Sequence, residues 1–246
     1  MTRMTIKDAR KAIANAKKIA VLTGAGMSTE SGLPDFRSNE GIYNTLTTAM
    51  TFHIGLFRIY PKHFYSVIGP FYGQCVSAKP NAGHLALAEL ERLGKDVEIC
   101  TQNVDCLHQK AGSSIVHEIH GTIDTVSCRK CGQRFKASDF AEFFAAGKVP
   151  HCPECGKVLK PDLTFFGEEL PFEPMRRAKK AFKKADFVMI LGTSLRVSPA
   201  NTLPDCRAQG VPMLIINHDP TSYDACADFV SHERIGDILP KLVGIA

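Results

Sequence analysis

No stretch of this 246-residue chain strings together the roughly 18–20 apolar residues that a bilayer-spanning helix requires, so no membrane span is expected. The stretch from Met1 to Ala20 is basic and polar and lacks the apolar core of an export signal, which makes the cytoplasm the expected location. Charge of one sign is also in short supply: the formal net charge is only +5, too mild to demand a nucleic-acid partner. There is no internal repeat and no low-complexity tract. With 44% hydrophobic and 22% charged residues the composition is that of a globular protein, and wholesale disorder is not expected. The length suits one large α/β domain, or a large domain with a small one.

Much of the basic surplus has a local explanation. Arg176, Arg177, Lys179, Lys180, Lys183 and Lys184 alternate with Ala178, Ala181, Phe182 and Ala185, the spacing of a helix with one buried stripe and one solvated basic face. A docking surface for an acidic partner is the sharper reading of the same face. Nine cysteines without an export signal argue against a disulfide framework. Four of them form two Cys-x-x-Cys pairs; Cys75, Cys100, Cys106, Cys206 and Cys226 have no ligand-like spacing and are expected to pack as small hydrophobes.

Thr5-Ile6-Lys7-Asp8 reads as a helix start, a hydroxyl cap with an acid three residues later. Ile19 to Thr23 is a short apolar run ending at Gly24-Ala25-Gly26, a buried strand entering a glycine turn. Further buried strands are expected at Val97–Thr101, Phe187–Leu191 and Met213–Ile216. Each ends in small or polar residues (Gln102-Asn103, Gly192-Thr193-Ser194, Asn217), and in open parallel sheets ligands lie beyond the carboxyl ends of the strands. Two segments break this rhythm. Residues 42–83, rich in aromatics, Gly and Pro, read as a helical insert; residues 124–160 carry the cysteine pairs. What remains, 1–41, 84–123 and 161–246, forms the nucleotide-binding domain.

Three constellations carry chemistry. Gly24-x-Gly26 allows a tight bend and close approach to a pyrophosphate, with a following helix expected to offer N–H groups to the anion. Thr29 stands where a dinucleotide fingerprint has its third glycine, and no ribose-binding acid follows a second strand, which disfavours a generic dehydrogenase. Cys128-x-x-Cys131 and Cys152-x-x-Cys155, separated by residues 132–151, suit a closed tetrahedral structural zinc site. His151 beside them reads as a surface residue rather than a ligand. The third constellation is polar: Thr101 to His108, then His117 to Thr122. Histidine moves protons best at neutral pH, and spacing alone leaves His108, His117 and His120 as equal candidates.

The stretch from Gly24 through Ser28, Gly32 and Pro34 to Asp35-Phe36-Arg37 resembles the signature of the sirtuins, as do Thr101-Gln102-Asn103-Val104-Asp105 with Leu107-His108, and Ile119-His120-Gly121. Lys160-Pro161-Asp162 leading to Phe165-Phe166-Gly167-Glu168, then Gly192-Thr193-Ser194-Leu195 and Ile216-Asn217, continue the likeness in order, from about residue 8 to the C-terminus. The resemblance implies an α/β fold: a Rossmann-like parallel-sheet domain with a smaller domain made of the helical and zinc-binding inserts. It implies NAD as co-substrate, one structural zinc on Cys128, Cys131, Cys152 and Cys155, and acyl-lysine proteins or peptides as partners, with neither nucleic acid nor membrane.

In sirtuins the acyl oxygen of the modified lysine attacks the nicotinamide ribose, nicotinamide leaves, and a histidine base activates a ribose hydroxyl to attack the resulting imidate. By position that base is His120, with Asn103 and Asp105 completing the catalytic set and holding the ribose and the nicotinamide amide. Gly24, Ala25, Gly26 and Ser28 are implied at the pyrophosphate; Asp35, Phe36 and Arg37 form a loop over the cofactor; Gln102 belongs to the same NAD-contacting segment; Gly192, Thr193, Ser194 and Asn217 line the adenosine side. Thr164, Phe165, Phe166, Gly167 and Glu168 are implied at the substrate. Thr164 stands where the family usually has an apolar residue, beside the acyl-lysine tunnel, and Val104, Leu33 and Ile119 are conservative changes.

Sirtuins preferring acidic acyl groups share a Tyr-x-x-Arg pair in the helical insert. Here the nearest equivalent is Tyr65 with Ile68, and no arginine lies between Arg58 and Arg92, which implies a preference for neutral acyl groups. Two other activities are compatible with parts of the sequence: protein mono-ADP-ribosylation from the same NAD, and a zinc-ribbon binding module without catalysis, which leaves the Gly, Gln-Asn and His clusters unexplained.

Overall fold

The computed structural model describes residues 3–35 and 50–245. Helix α1 (Ile6–Asn15) starts at the expected cap: Thr5 and Asp8 exchange hydrogen bonds in a capping box. It leads into β1 (Lys18–Thr23), the first of six parallel strands with β2 (Asp96–Thr101), β3 (Val116–Glu118), β7 (Phe187–Leu191), β8 (Met213–Ile216) and β9 (Phe229–Ser231). Their order is β3-β2-β1-β7-β8-β9. The chain winds outward in one direction from β1 and in the other from β7, so these central neighbours form a topological switch point, where a crevice opens at their carboxyl ends.

The apolar runs of β1, β7 and β8 divide by strict alternation. Ile19, Val21, Met189, Leu191, Leu214 and Ile216 join a core with α1, α4 (Ala82–Arg92) and α8 (Ile235–Val243). Ala20, Leu22, Val188, Ile190, Met213 and Ile215 face the other way, against Ala178, Ala181 and Phe182 of α7 (Phe172–Lys184). Helices cover both faces, which is why these strands read as continuous apolar runs. The basic helix is α7, with Met175, Ala178, Ala181 and Phe182 buried and its lysines and arginines outward.

The second layer of structure is smaller. β4 (Gly121–Cys128) pairs antiparallel with β5 (Arg134–Lys136) and β6 (Leu159–Leu163). α6 (Ala141–Ala145) follows β5, and α2 (Ile54–Ile59) and α3 (Pro61–Ser77) come from the first insert. One core serves both inserts: Phe57, Phe64, Tyr65, Ile68 and Tyr72 pack with Val126, Phe144, Leu159 and Phe165. Phe165 sits among Phe64, Phe57 and Phe52 at centroid distances of 4.9, 5.4 and 6.4 Å. Among the described residues no helix is long and apolar enough to cross a membrane.

Some expectations need correction. No α-helix follows the glycine turn among the described residues. Ala25–Met27 and Thr29–Ser31 are two short 3-10 turns, ended by Gly32 in the left-handed region at φ 82° ahead of Pro34. Ser28, Thr29 and Ser31 compete for backbone partners and favour such turns over a helix. Of the five spare cysteines only Cys75 and Cys100 are buried; Cys226 is exposed, and Cys106 and Cys206 are half-buried.

Candidate active site

The switch point is closed by backbone rather than by side chains. Gly26 N–H donates to the Gly192 carbonyl at 2.9 Å, and Gly24 N–H to that of Leu191 at 3.2 Å. A Cβ on Gly24 would lie 2.7 Å from Thr193 Cβ, one on Gly26 2.9 Å from Gly192 Cα, and one on Gly192 2.2 Å from Met27 N. The glycines therefore let two strand-end loops touch, a requirement of the fold that precedes any anion. Above this floor opens a cavity of about 1140 Å³. Its lining includes Gly24, Ala25, Gly26, Asp35, Gln102, Asn103, His120, Gly192, Thr193, Ser194, Asn217 and the run Thr164 to Glu168. Phe36 and Arg37 lie outside the described residues.

Behind the lining runs a hydrogen-bonded layer. Asn103 Nδ2 donates to the Gly24 carbonyl at 3.0 Å and to Ser28 Oγ at 3.1 Å, and Ser28 Oγ donates to Asp105 Oδ2 at 2.7 Å. Asp105 Oδ1 accepts from Leu107 N–H at 2.9 Å. Ser28 and Asp105 are buried here and are not part of the cavity lining. Burial pushes the Asp105 carboxyl above its usual range, against the Leu107 and Ser28 bonds that pull it down. Gln102 Nε2 reaches Thr193 Oγ1 at 2.9 Å, joining the loops after β2 and β7. Both loops hold a non-glycine residue at positive φ, Cys106 at 60° and Leu195 at 53°. In each, a polar side chain accepts the N–H of the residue two positions on: Asp105 from Leu107, Thr193 from Leu195.

Burial and partners separate the three histidines. His108 is enclosed, with Nε2 3.0 Å from Thr23 Oγ1 and its ring 4.8 Å from that of buried His84. Burial holds both well below the ordinary imidazole range, so the pair is neutral. His117 lies on β3 with Nε2 2.8 Å from Glu98 Oε2. His120 alone of the three lines the cavity. Its carbonyl accepts from Thr164 N–H at 2.9 Å, and the preceding Ile119 N–H donates to Thr101 at 3.0 Å, so it stands where the two sheets meet. His120 Nδ1 lies 3.2 Å from the Gln102 carbonyl, which fixes the proton on Nδ1 and leaves the Nε2 lone pair. Burial lowers its pKa from the usual 6.5, with the Gln102 bond opposing.

The cavity also has apolar walls, formed by Phe52, Phe71, Val104, Leu163 and Phe165. Tyr65 and Ile68 are absent from this lining; Tyr65 is fully buried and its hydroxyl donates to the Leu159 carbonyl at 2.6 Å. At the far end lie His218, Asp219, His232, Glu233 and Arg234, and along one rim Arg196, Val197 and Ser198. The sequence reading did not single out these residues. The 196–198 rim follows β7 and obeys the same strand-end rule; the 232–234 group follows β9, whose three residues give too short a pattern to find.

Beside the cavity, all four sulfurs of Cys128, Cys131, Cys152 and Cys155 lie within 4.8 Å of one another. With Zn–S bonds of about 2.3 Å this is the spread of a tetrahedral four-thiolate site, and the cysteines are placed to hold one zinc ion. His151 is exposed and outside the cluster. The larger cavity fits a dinucleotide in its donor set, with a close-packed backbone floor at the switch point and polar groups at the ends of four strands.

Comparison with known proteins agrees with this geometry. The profile of the Sir2 family matches residues 24–199. The chain is 41% identical over 232 residues to NAD-dependent protein deacetylase 1 of Pyrobaculum aerophilum, covering 94% of this chain and 91% of that protein. It is 40% identical over 240 residues to the NAD-dependent protein deacetylase of Bacillus subtilis, covering 92% and 94%. A Sir2 structure with a deacetylated p53 peptide and 3′-O-acetyl ADP ribose superposes with a TM-score of 0.90 at 33% identity, covering 98% of both chains.

Proposed function

The chain belongs to the Sir2 family, and from that premise we infer that it removes acetyl groups, and other neutral acyl groups, from protein lysines in an NAD-dependent reaction. NAD supplies the acceptor and one water is consumed: the bond to nicotinamide breaks, the acyl group passes to the ribose, and free lysine, nicotinamide and O-acyl-ADP-ribose are released. The observation that carries the reading is one cavity that brings together a polar strand-end floor, apolar walls and the neutral His120. NAD occupies the domain of residues 1–41, 84–123 and 161–246; acyl-lysine enters where it meets the inserts 42–83 and 124–160.

His120 Nε2 takes the proton from the ribose hydroxyl, and Nδ1–H, donating to Gln102, steadies the charged ring. Asn103 holds the ribose edge while tied to Gly24 and Ser28, and Asp105 acts through the same layer. Gly24, Ala25, Gly26, Gly192, Thr193, Ser194 and Asn217 bind the cofactor, with Ser28 contributing by holding Asn103 and Asp105, and with Asp35 on the same cavity wall. Thr164 to Glu168 receive the peptide through main chain, which gives affinity with little sequence preference. The apolar walls exclude water from a step that develops positive charge at the sugar. A cytoplasmic location goes with nine free cysteines.

Incubation with NAD and an acetyl-lysine peptide tests the activity: mass spectrometry should find deacetylated peptide and acetyl-ADP-ribose together. An ADP-ribosylated protein product in their place would establish the transferase reading. Two further results are expected. Because burial lowers the His120 pKa from the usual 6.5, the acid limb of turnover should be centred below that value, as protonation removes the base. An acid limb centred above 6.5 would assign it to another group. Second, among the described residues the apolar walls Phe52, Phe71, Val104, Leu163 and Phe165 include no arginine for a distal carboxylate, and a buried carboxylate without a partner is strongly penalised. The kcat/KM for succinyl-lysine peptides should be on the order of ten- to a hundred-fold below that for matched acetyl peptides; equal values would mean that a cation reaches the acyl end.

A further inference from the structure

The turn Phe165-Phe166-Gly167-Glu168 lines the cavity, and Gly167 takes φ 84° within it. One carboxylate closes it. Glu168 Oε2 accepts from Phe165 N–H at 3.0 Å, while Glu168 N–H donates to the Phe165 carbonyl at 3.0 Å. Lys160, buried with its Nζ 4.0 Å from the Phe165 ring centroid, lies 2.9 Å from the same Oε2. The other oxygen, Oε1, accepts from the Arg129 guanidinium. Burial alone would raise the Glu168 carboxyl, but Phe165 N–H, Lys160 and Arg129 together hold it below its usual value, so it is ionised.

Arg129 is carried by the zinc knuckle. It sits between Cys128 and Cys131, in a turn closed by Gly132 N–H on the Cys128 carbonyl at 2.9 Å. The far side of the same substrate-facing turn is held by the helical insert, with Phe166 N–H on Phe52 at 2.8 Å and Ile54 N–H on Phe166 at 3.0 Å. The helical insert thus grips the turn through main chain, and the metal-bearing insert grips it through two cations on one carboxylate, Lys160 from the start of β6 and Arg129 from the knuckle itself.

We propose that Arg129 is a positioning residue for the acyl-lysine peptide, transmitting the order of the zinc knuckle through Glu168 to the Phe165–Gly167 turn. The proposal rests on the deacylase reading. It makes the metal site matter to peptide binding and leaves the glycine floor, where the cofactor binds, independent of it. Lysine at 129 keeps the charge but cannot present the planar guanidinium fork.

The test compares wild type, Arg129→Ala and Arg129→Lys. It measures KM for an acetyl-lysine peptide and for NAD, direct peptide affinity by fluorescence anisotropy, zinc content and melting temperature. Arg129→Ala should raise the peptide KM and Kd about five-fold, because a half-exposed charged hydrogen bond is lost while Lys160 and Phe165 N–H remain on Glu168. Its NAD KM should stay within about two-fold and its zinc at about one per chain, and Arg129→Lys should recover part of the loss. An unchanged peptide KM, or peptide and NAD affinities falling together with zinc, overturns the proposal. Wild type is assayed first: absence of deacetylated peptide there defeats the deacylase reading itself, whereas product with an unmoved peptide KM defeats only the role of Arg129.

Discussion

Replacing His120 by alanine is expected to lower turnover of an acetyl-lysine peptide by ~10²–10⁴-fold, the usual cost of losing a general base. Little packing is lost, since the backbone bonds of residues 119 and 120 to Thr101 and Thr164 do not involve the ring, and zinc content and NAD affinity should stay near wild type. Within the proposed sequence the ring acts only after nicotinamide has left. The variant should therefore still exchange labelled nicotinamide into NAD in the presence of acetyl-peptide. Near-wild-type turnover would transfer the role elsewhere, although His108 does not line the cavity and His117 is bonded to Glu98. Loss of both exchange and deacetylation with normal NAD affinity would mean that the ring also serves the first step.

The second large effect concerns the metal. Cys128→Ala or Cys152→Ala should release about one zinc per chain and abolish activity, because affinity in four-thiolate sites is largely folding free energy, on the order of 10 kcal/mol. The damage should not stop at the zinc-bearing insert. Val126, Leu159 and Phe144 pack directly with Tyr65, Ile68 and Tyr72 of α3, so the helical insert loses its other half. Hydrogen exchange should show loss of protection in α3 as well as in β4 to β6, while β1, β7 and β8 keep theirs. Should a chelator strip the metal and leave exchange, circular dichroism and activity unchanged, the site is not structural.

What the chain disclosed before folding follows from the physics of each element. β1, β7 and β8 were legible because strands buried on both faces are dense apolar runs, and β2 because Val97, Ile99 and Cys100 lead into the polar Gln102-Asn103. β3 and β9 were not: at three residues, with His117 and Glu118 in one and Ser231 in the other, they borrow their order from the neighbour they pair with. Ser28 shows a different limit. Its place beside Gly26 implies a phosphate contact, yet its hydroxyl is spent on Asp105 and its lone pair on Asn103. Spacing could not choose among His108, His117 and His120, since the choice depends on enclosure by Thr23 and His84, far away in sequence. The four cysteines needed no such help, because a tetrahedral site dictates their short spacing directly.

The contact between the Gly24–Gly26 and Gly192–Thr193 loops bears on how the protein folds. Its two sides are separated by most of the chain and both small-domain inserts, and they meet only when β1 and β7 have paired in register. Contacts of such sequence separation require a large loop closure and are slow to form. Refolding should therefore regain helical signal before it regains NAD binding. A ligand added to the refolding chain finds no floor to bind until that closure is made, so it should slow unfolding without accelerating folding.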